Sequence, residues 1–184
     1  IQGNHDAAVS GVISTRRFNA AAAKAVTWTK NNFSSGGSRF LASLPLINVW
    51  EGLTLAHANI HAPASFDYII TEQDAVQSFR TSNTRVSFIG HTHRQECFVK
   101  DENQKITICT DKTVPIQDGK SYIINPGSIG QPRDHDPKAA YGVFDTVENS
   151  FSFFRTAYPI EVVQRKMRAK GLPEQLAERL TAGI

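Results

Sequence analysis

The sequence predicts an α/β fold of two sheets with helices on the outside. Three observations carry that expectation. Strand-like runs alternate with helical ones through the first half of the chain. Histidines of metal-ligating type, His57 and His91, fall at or just past the C-terminal ends of strands. The later half then breaks into strands at hairpin spacing.

Taken in order, Ile1-Gln2 reads as the end of a buried strand running into a turn at Gly3. Phe18, Ala22, Val26 and Phe33 recur at helical spacing in an Ala-rich stretch, which predicts a helix over 18–32. Ser34 to Ser38 reads as a loop, and Phe40 to Pro45 as a short helix closed by proline. Leu46–Trp50 and Leu53–His57 flank Glu51-Gly52 and form a hairpin. A helix over 72–82 precedes a buried strand over 85–89. Further strands follow at 95–99, 105–109 and 121–124. A second hairpin pairs 141–145 with 150–155 across Glu148-Asn149. The tail is helical over 160–170 and 173–182, interrupted at Gly171-Leu172-Pro173.

A chain of 184 residues is long enough for one domain with a sizeable core, and 40% hydrophobic with 20% charged residues is a globular balance. The net charge of +3 is small and scattered, so there is no nucleic-acid-binding signature. The densest basic group, Arg165, Lys166, Arg168 and Lys170, reads as a solvated helix face. No apolar run nears the ~18 residues of a membrane helix. Cys97 and Cys109 are isolated in spacing and demand no disulfide, which suits a reducing cytoplasm. Residue 1 is Ile and the only methionine is Met167, so the natural start is expected upstream. Oligomeric state is not legible.

The chemistry concentrates in two motifs. Gly90-His91-Thr92-His93 follows a buried strand, and two imidazoles one residue apart rarely serve packing. If the segment stays extended, both rings face the same side. Gly3-Asn4-His5-Asp6 supplies an amide oxygen and an imidazole beside a turn glycine. In an extended backbone Asn4 and His5 point opposite ways, so Asn4 binds metal while His5 faces substrate as general acid or cationic partner. Asp6 caps the following turn. His57, at a rigid strand end, is preferred as a ligand over His61, which lies in the mobile-looking loop 59–63 and lines the substrate cleft. His135, between two aspartates, is expected in solvent. Asn125-Pro126-Gly127-Ser128 either joins two strands or serves the site. Arg133 either clamps a phosphate or is neutralised by Asp134 and Asp136. Nitrogen and oxygen donors suit Mn, Fe, Zn or Ni, with Mn the most compatible.

The order Gly-Asn-His-Asp, strand-end His, Gly-His-Thr-His resembles the calcineurin-like metallophosphoesterase superfamily. The segment from Asn125 to Arg133 and the tail from Gln164 to Pro173 resemble its small prokaryotic phosphoesterases, which are related to diadenosine tetraphosphatases and serine/threonine phosphatases. The resemblance implies a four-layer αββα sandwich holding two divalent metal ions. Asn4, His57 and His91 would hold one ion, His93 the other, and His5 matches the catalytic histidine. It further implies in-line attack by a metal-bridging hydroxide on a small-molecule phosphodiester or phosphomonoester.

The family's D-x-H and G-D-x-x-D motifs do not occur in this chain. They supply the other ligands of the second metal, the bridging carboxylate and the Asp that orients the catalytic histidine. Asp67, Asp74, Asp111 and Asp118 lack the spacing to replace them. The chain is therefore expected to be a single N-terminally truncated domain, missing its first strand-helix units and inactive on its own. The alternative is a non-catalytic metal-binding or scaffold protein of the same fold.

Overall fold

The computed structural model describes residues 1–184. Its helices are α1 (Asn4–Ser10), α2 (Ala20–Asn32), α3 (Ser35–Ser43), α4 (Glu72–Thr81), α5 (Ile160–Ala169) and α6 (Glu174–Ala182). Its strands are β1 (Ile47–Trp50), β2 (Leu53–Ala56), β3 (Val86–Phe88), β4 (Gln95–Lys100), β5 (Ile106–Cys109), β6 (Thr113–Pro115), β7 (Ser121–Pro126), β8 (Ala139–Asp145) and β9 (Ser150–Thr156). They form a six-stranded mixed sheet in the order β1-β2-β3-β7-β4-β5 and a three-stranded sheet in the order β6-β9-β8. This is the expected α/β sandwich of two sheets flanked by helices.

Side-chain alternation in the six-stranded sheet builds two separate cores. On one face Ala56, Ile89, Phe98 and Ile123 meet Ala75 and Phe79 of α4. On the other, Cys97, Tyr122 and Ile124 meet Val114, Phe151 and Phe153 of the smaller sheet. Neighbours 97/98 and 123/124 thus point to opposite layers, as the period of two requires. Burying a side chain such as Phe98 or Ile123 contributes about 2–3 kcal/mol. Helix α4 presents Ala75, Ser78 and Phe79 at helical spacing. Its start is secured reciprocally: Asp74 N donates to Thr71 Oγ1, and Thr71 N donates to Asp74 Oδ2 at 2.8 Å. These bonds hold the Asp74 carboxyl below its usual range.

The three strands β2, β3 and β7 run parallel. Their C-terminal ends lie along one edge of the sheet, where ligands of open α/β sheets bind. The hairpin β1-β2 turns at Glu51 and Gly52, both with positive φ (49° and 77°), as a tight two-residue hairpin demands.

Four local expectations change. Ile1-Gln2 is not strand; Gln2 is tied instead to the end of α3, donating from N to Pro45 O and from Nε2 to Leu41 O. The stretch after Gly3 is α1 rather than a turn. Residues 35–38, expected as loop, are the first turn of α3, because Ser34 Oγ caps Gly37 N. Strand β6 is an addition to the strands that the sequence predicts, and it is only three residues long. Cys97 and Cys109, remote in sequence, stand directly opposite each other on β4 and β5 as free thiols. Burial pushes the Cys97 thiol up to about 12. No helix is long and apolar enough to cross a membrane.

Candidate metal centre

Each parallel strand delivers one part of a cluster. β2 ends at Ala56 and hands on to His57. β3 leads through Ile89 and Gly90 to His91 and His93, and β7 ends in the segment containing Asn125. Backbone bonds stitch the three together: Gly90 N donates to His57 O at 2.9 Å, and Ile89 N donates to Ile124 O at 2.9 Å. Asn125 is fully buried and spends its whole amide on this junction. Its Nδ2 donates to Gly90 O and Thr92 Oγ1, both at 2.8 Å, and its Oδ1 accepts from Gly127 N at 3.0 Å.

That clamp overturns the expectation of an extended Gly-His-Thr-His segment. His91 and His93 both adopt left-handed backbone, with φ of 70° and 62°. The conformation costs on the order of 1 kcal/mol or more at each non-glycine residue, and it persists only where surroundings enforce it.

The other contribution comes from α1. Asp6 Oδ2 accepts from Gly3 N at 2.8 Å and so caps the helix, as expected. Asn4 and His5 are successive residues of a helical turn, about 100° apart, and not opposed as in extended chain. Gly3 matters for space: a Cβ there would lie 3.0 Å from His57 Nδ1. Its absence lets the imidazole lie against the chain.

Three donor atoms converge. His57 Nε2 stands 3.1 Å from Asn4 Oδ1 and 3.1 Å from His91 Nδ1. A single proton on His57 Nε2 could serve both contacts only as a shared, three-centre bond. The spacing fits an ion instead, since two donors about 2.1–2.2 Å from a metal at right angles are roughly 3.0–3.1 Å apart. No three His, Cys, Asp or Glu side chains are arranged so that they could hold a metal ion by themselves. The cluster reaches three donors only through the Asn4 amide.

His93 lies outside this triad. Its Nδ1 meets Gln131 O at 2.8 Å, and a carbonyl can only accept, so the proton sits on Nδ1 and Nε2 keeps a free lone pair. Tyr68 stacks on His91, with centroids 4.1 Å apart and planes 12° apart. Burial, with His57 and His93 nearby, lowers the His91 pKa to about 3. Burial and then Arg133 lower that of His93 to about 4. Both rings are therefore neutral donors at neutral pH.

His5 is exposed at the rim, edge-on to Phe18 at 5.0 Å. Partial desolvation and then Arg133 hold its pKa below the ordinary value, against Asp6. Arg133 N donates to His93 O, and its Nη2 to Gln131 Oε1 at 2.8 Å. Asp134 and Asp136 do not neutralise it, because both face Arg155. His135 is in solvent. His61 is exposed after β2, and no hydrogen bond or ring contact joins it to the cluster. Its loop is pinned rather than loose. Asn59 is buried and bonds Ser65 and Ala62, while Ile60 N donates to Ser78 Oγ of α4. Sequence reasoning did not single out Tyr68 or Gln131. Gln131 lay within a noted segment, but nothing in the spacing around Tyr68 signals its stacking.

The depressed imidazoles set a pH dependence for the metal-free chain. Both folded pKa values lie below the unfolded value of about 6.5, so the unfolded chain binds more protons as pH falls. Stability present above pH ~6.5 is then lost progressively toward pH 4, by roughly 2–4 kcal/mol after allowing for water at the rings. Urea titrations in chelator at pH 7.5 and 4.5 measure it. Equal midpoints would contradict the buried, neutral state of these rings.

Residues 1–149 match the calcineurin-like phosphoesterase superfamily domain. An uncharacterized protein of Methanocaldococcus jannaschii is 35% identical over 188 aligned residues, covering 100% of this chain and 74% of that protein. A metallophosphoesterase of Sphaerobacter thermophilus superposes with a TM-score of 0.85 at 36% identity, covering 99% of this chain and 75% of that one. A hypothetical protein of Pyrococcus horikoshii shares the fold, with a TM-score of 0.75 at 15% identity over 100% of this chain and 72% of its own. The chain belongs to the calcineurin-like phosphoesterase superfamily.

Proposed function

We propose that the protein hydrolyses phosphodiester or phosphomonoester bonds at a centre of two divalent metal ions, with Mn the ion best matched to the donors. Membership of the superfamily makes the chain a phosphoesterase-type hydrolase, in a family that uses divalent metals. The observation that carries the finer reading is the convergence of Asn4 Oδ1, His57 Nε2 and His91 Nδ1. These three would hold one ion, and His93, through its free Nε2, would serve the other. Bound divalent ions supply Lewis acidity toward the phosphoryl oxygens and a water acidic enough to attack near neutral pH.

The chain's own residues do the rest. Arg133 offers the substrate phosphate a guanidinium that no carboxylate cancels. His5, at the rim, gives a proton to the departing oxygen. Gln131 O holds the proton on His93 Nδ1, and Tyr68 shields the His91 ring from water. His61 meets only the outer part of a substrate, from the pinned loop beyond β2.

Three donors at one ion and one at the other leave the second ion under-coordinated. The 184 residues alone are therefore expected to retain one Mn per chain by elemental analysis and to turn over near background. Retention of no ion would refute the proposal. The catalytic role is tested on the whole gene product, with p-nitrophenyl phosphate and its bis ester as substrates. There His5→Ala is expected to lower Mn-dependent turnover about 10²–10⁴-fold while leaving the Mn content unchanged. Mn binding without any turnover would favour the non-catalytic reading.

A further inference from the structure

His93 is bracketed on two sides by one short segment. Gln131 O takes the proton on its Nδ1 at 2.8 Å, and Arg133 N donates to its main-chain oxygen at 3.0 Å. Between those two residues Pro132 is fully buried, so the segment has little room to slide. The Gln131 side chain is held as well. Its Oε1 accepts from Arg133 Nη2 at 2.8 Å and from Arg179 Nη1, on α6, at 3.4 Å. The clamp on the segment as a whole comes from the other sheet.

Arg155, on β9, supplies it. Its Nη1 donates to the main-chain oxygens of Asp136 and Lys138, at 3.1 and 3.3 Å. Nη2 donates to Asp134 Oδ2, and Nε donates to Gln95 Oε1 at 2.9 Å. The same Asp134 oxygen accepts from Gln95 N at 3.0 Å. Asp134 Oδ1 is buried without a partner, so the carboxylate holds on through Oδ2 alone. Gln95 reaches back with Nε2 to Phe154 O of β9, at 3.0 Å. Arg155 and Asp134 are only 17% and 16% exposed, which keeps salt from screening the pair.

None of these bonds goes to the donor cluster. Arg155 instead ties the start of β4, two residues past His93, to the segment that brackets that histidine. Four acceptors in different directions need the planar fork of a guanidinium. An ammonium offers three donors from a single point and cannot span them.

We propose that Arg155 is a positioning residue for the second metal ion. It locks segment 131–138 against β4, so that Gln131 O keeps the proton on His93 Nδ1 and leaves Nε2 bare for the metal. That His93 binds a metal rests on the function proposed above; the placement of its proton does not.

The proton is read in the metal-free chain at neutral pH, by NMR of the histidine ring nitrogens. The His93 signals are assigned from His93→Gln. In the wild type His93 should show a protonated Nδ1 and a bare Nε2. Arg155→Lys keeps the charge and loses the fork. There His93 should shift toward the Nε2–H form, as its ring exchanges Gln131 O for water, while the His57 and His91 signals stay in place. Asp134→Asn should move His93 the same way by a smaller extent, because a neutral amide oxygen holds a guanidinium less strongly than a carboxylate. It decides the question should the lysine variant fail to fold. Phe153→Leu opens the core between the sheets, two residues away on β9, and should lower Tm. It should nevertheless leave the His93 proton on Nδ1. A wild-type His93 in Arg155→Lys, or in Asp134→Asn where only that variant folds, overturns the inference. The same shift in Phe153→Leu overturns it too, since loosened packing would then explain the effect. Because neither metal nor turnover is involved, such a result and failure of the hydrolytic reading are separate.

Discussion

Replacing His57 by alanine is expected to abolish divalent-ion binding by the chain. Its Nε2 touches both other donors at 3.1 Å, whereas Asn4 and His91 are joined only through it. Losing even an outer hydrogen-bond partner of a metal ligand lowers affinity about 10–100-fold, so losing the central donor of three must cost more. The consequence is visible as stability. An ion present at about 100 times its Kd stabilises the folded chain by roughly 2.7 kcal/mol. For a chain of this length that is a rise in Tm of about 5–10 °C. Mn should produce this rise in the wild type and none in His57→Ala. The metal-free variant should stay within about 1–2 kcal/mol of the wild type, because the ring is only half-buried and its aromatic neighbour Phe66 lies at 6.0 Å. A His57→Ala chain that kept the Mn-dependent rise would place the ion elsewhere.

Asn125→Ala should be the most destabilising single change near the site. The amide makes three bonds inside a fully buried junction, and truncation leaves Gly90 O, Thr92 Oγ1 and Gly127 N without it. Losing them is expected to cost about 3 kcal/mol, or roughly 6–12 °C in Tm. The variant should also lose Mn affinity while keeping every ligand, since nothing then enforces the left-handed backbone at His91 and His93. Asn125→Asp tests the geometry more sharply. A carboxylate has the same shape, yet it cannot donate to Gly90 O and would meet Gly127 N with a buried charge. It should be no better than alanine. An aspartate variant with wild-type Tm would mean that shape, and not donation, holds the turn.

Much of this was legible in one dimension because the signals are local. Alternation over β4 and β7, the 3.6-residue period of α4 and the turn chemistry at Glu51-Gly52 each act within a few residues. The errors also have local causes. Residues 35–38 carry two glycines and three serines nearby, a loop composition, but the Ser34 cap starts a helix there. The His91–His93 segment follows a strand and reads as its continuation. The buried amide of Asn125, 32 or more residues downstream, is what turns it. No spacing rule links those positions.

By itself, the sequence determined which chemical groups are present and the strand ends and turns that carry them: Asn4, His5, His57, His91, His93 and Arg133, with the layered α/β fold. Residue type and short-range periodicity encode that much. The family resemblance already implied one ion on Asn4, His57 and His91 and another on His93. The tertiary structure supplied the 3.1 Å contacts that centre the first group on His57 Nε2, and it placed His93 Nδ1 against Gln131 O. It gave Asp134 and Asp136 to Arg155, leaving Arg133 to face Arg179. Those choices come from parallel strand register and from competition among partners that are near in space but distant along the chain.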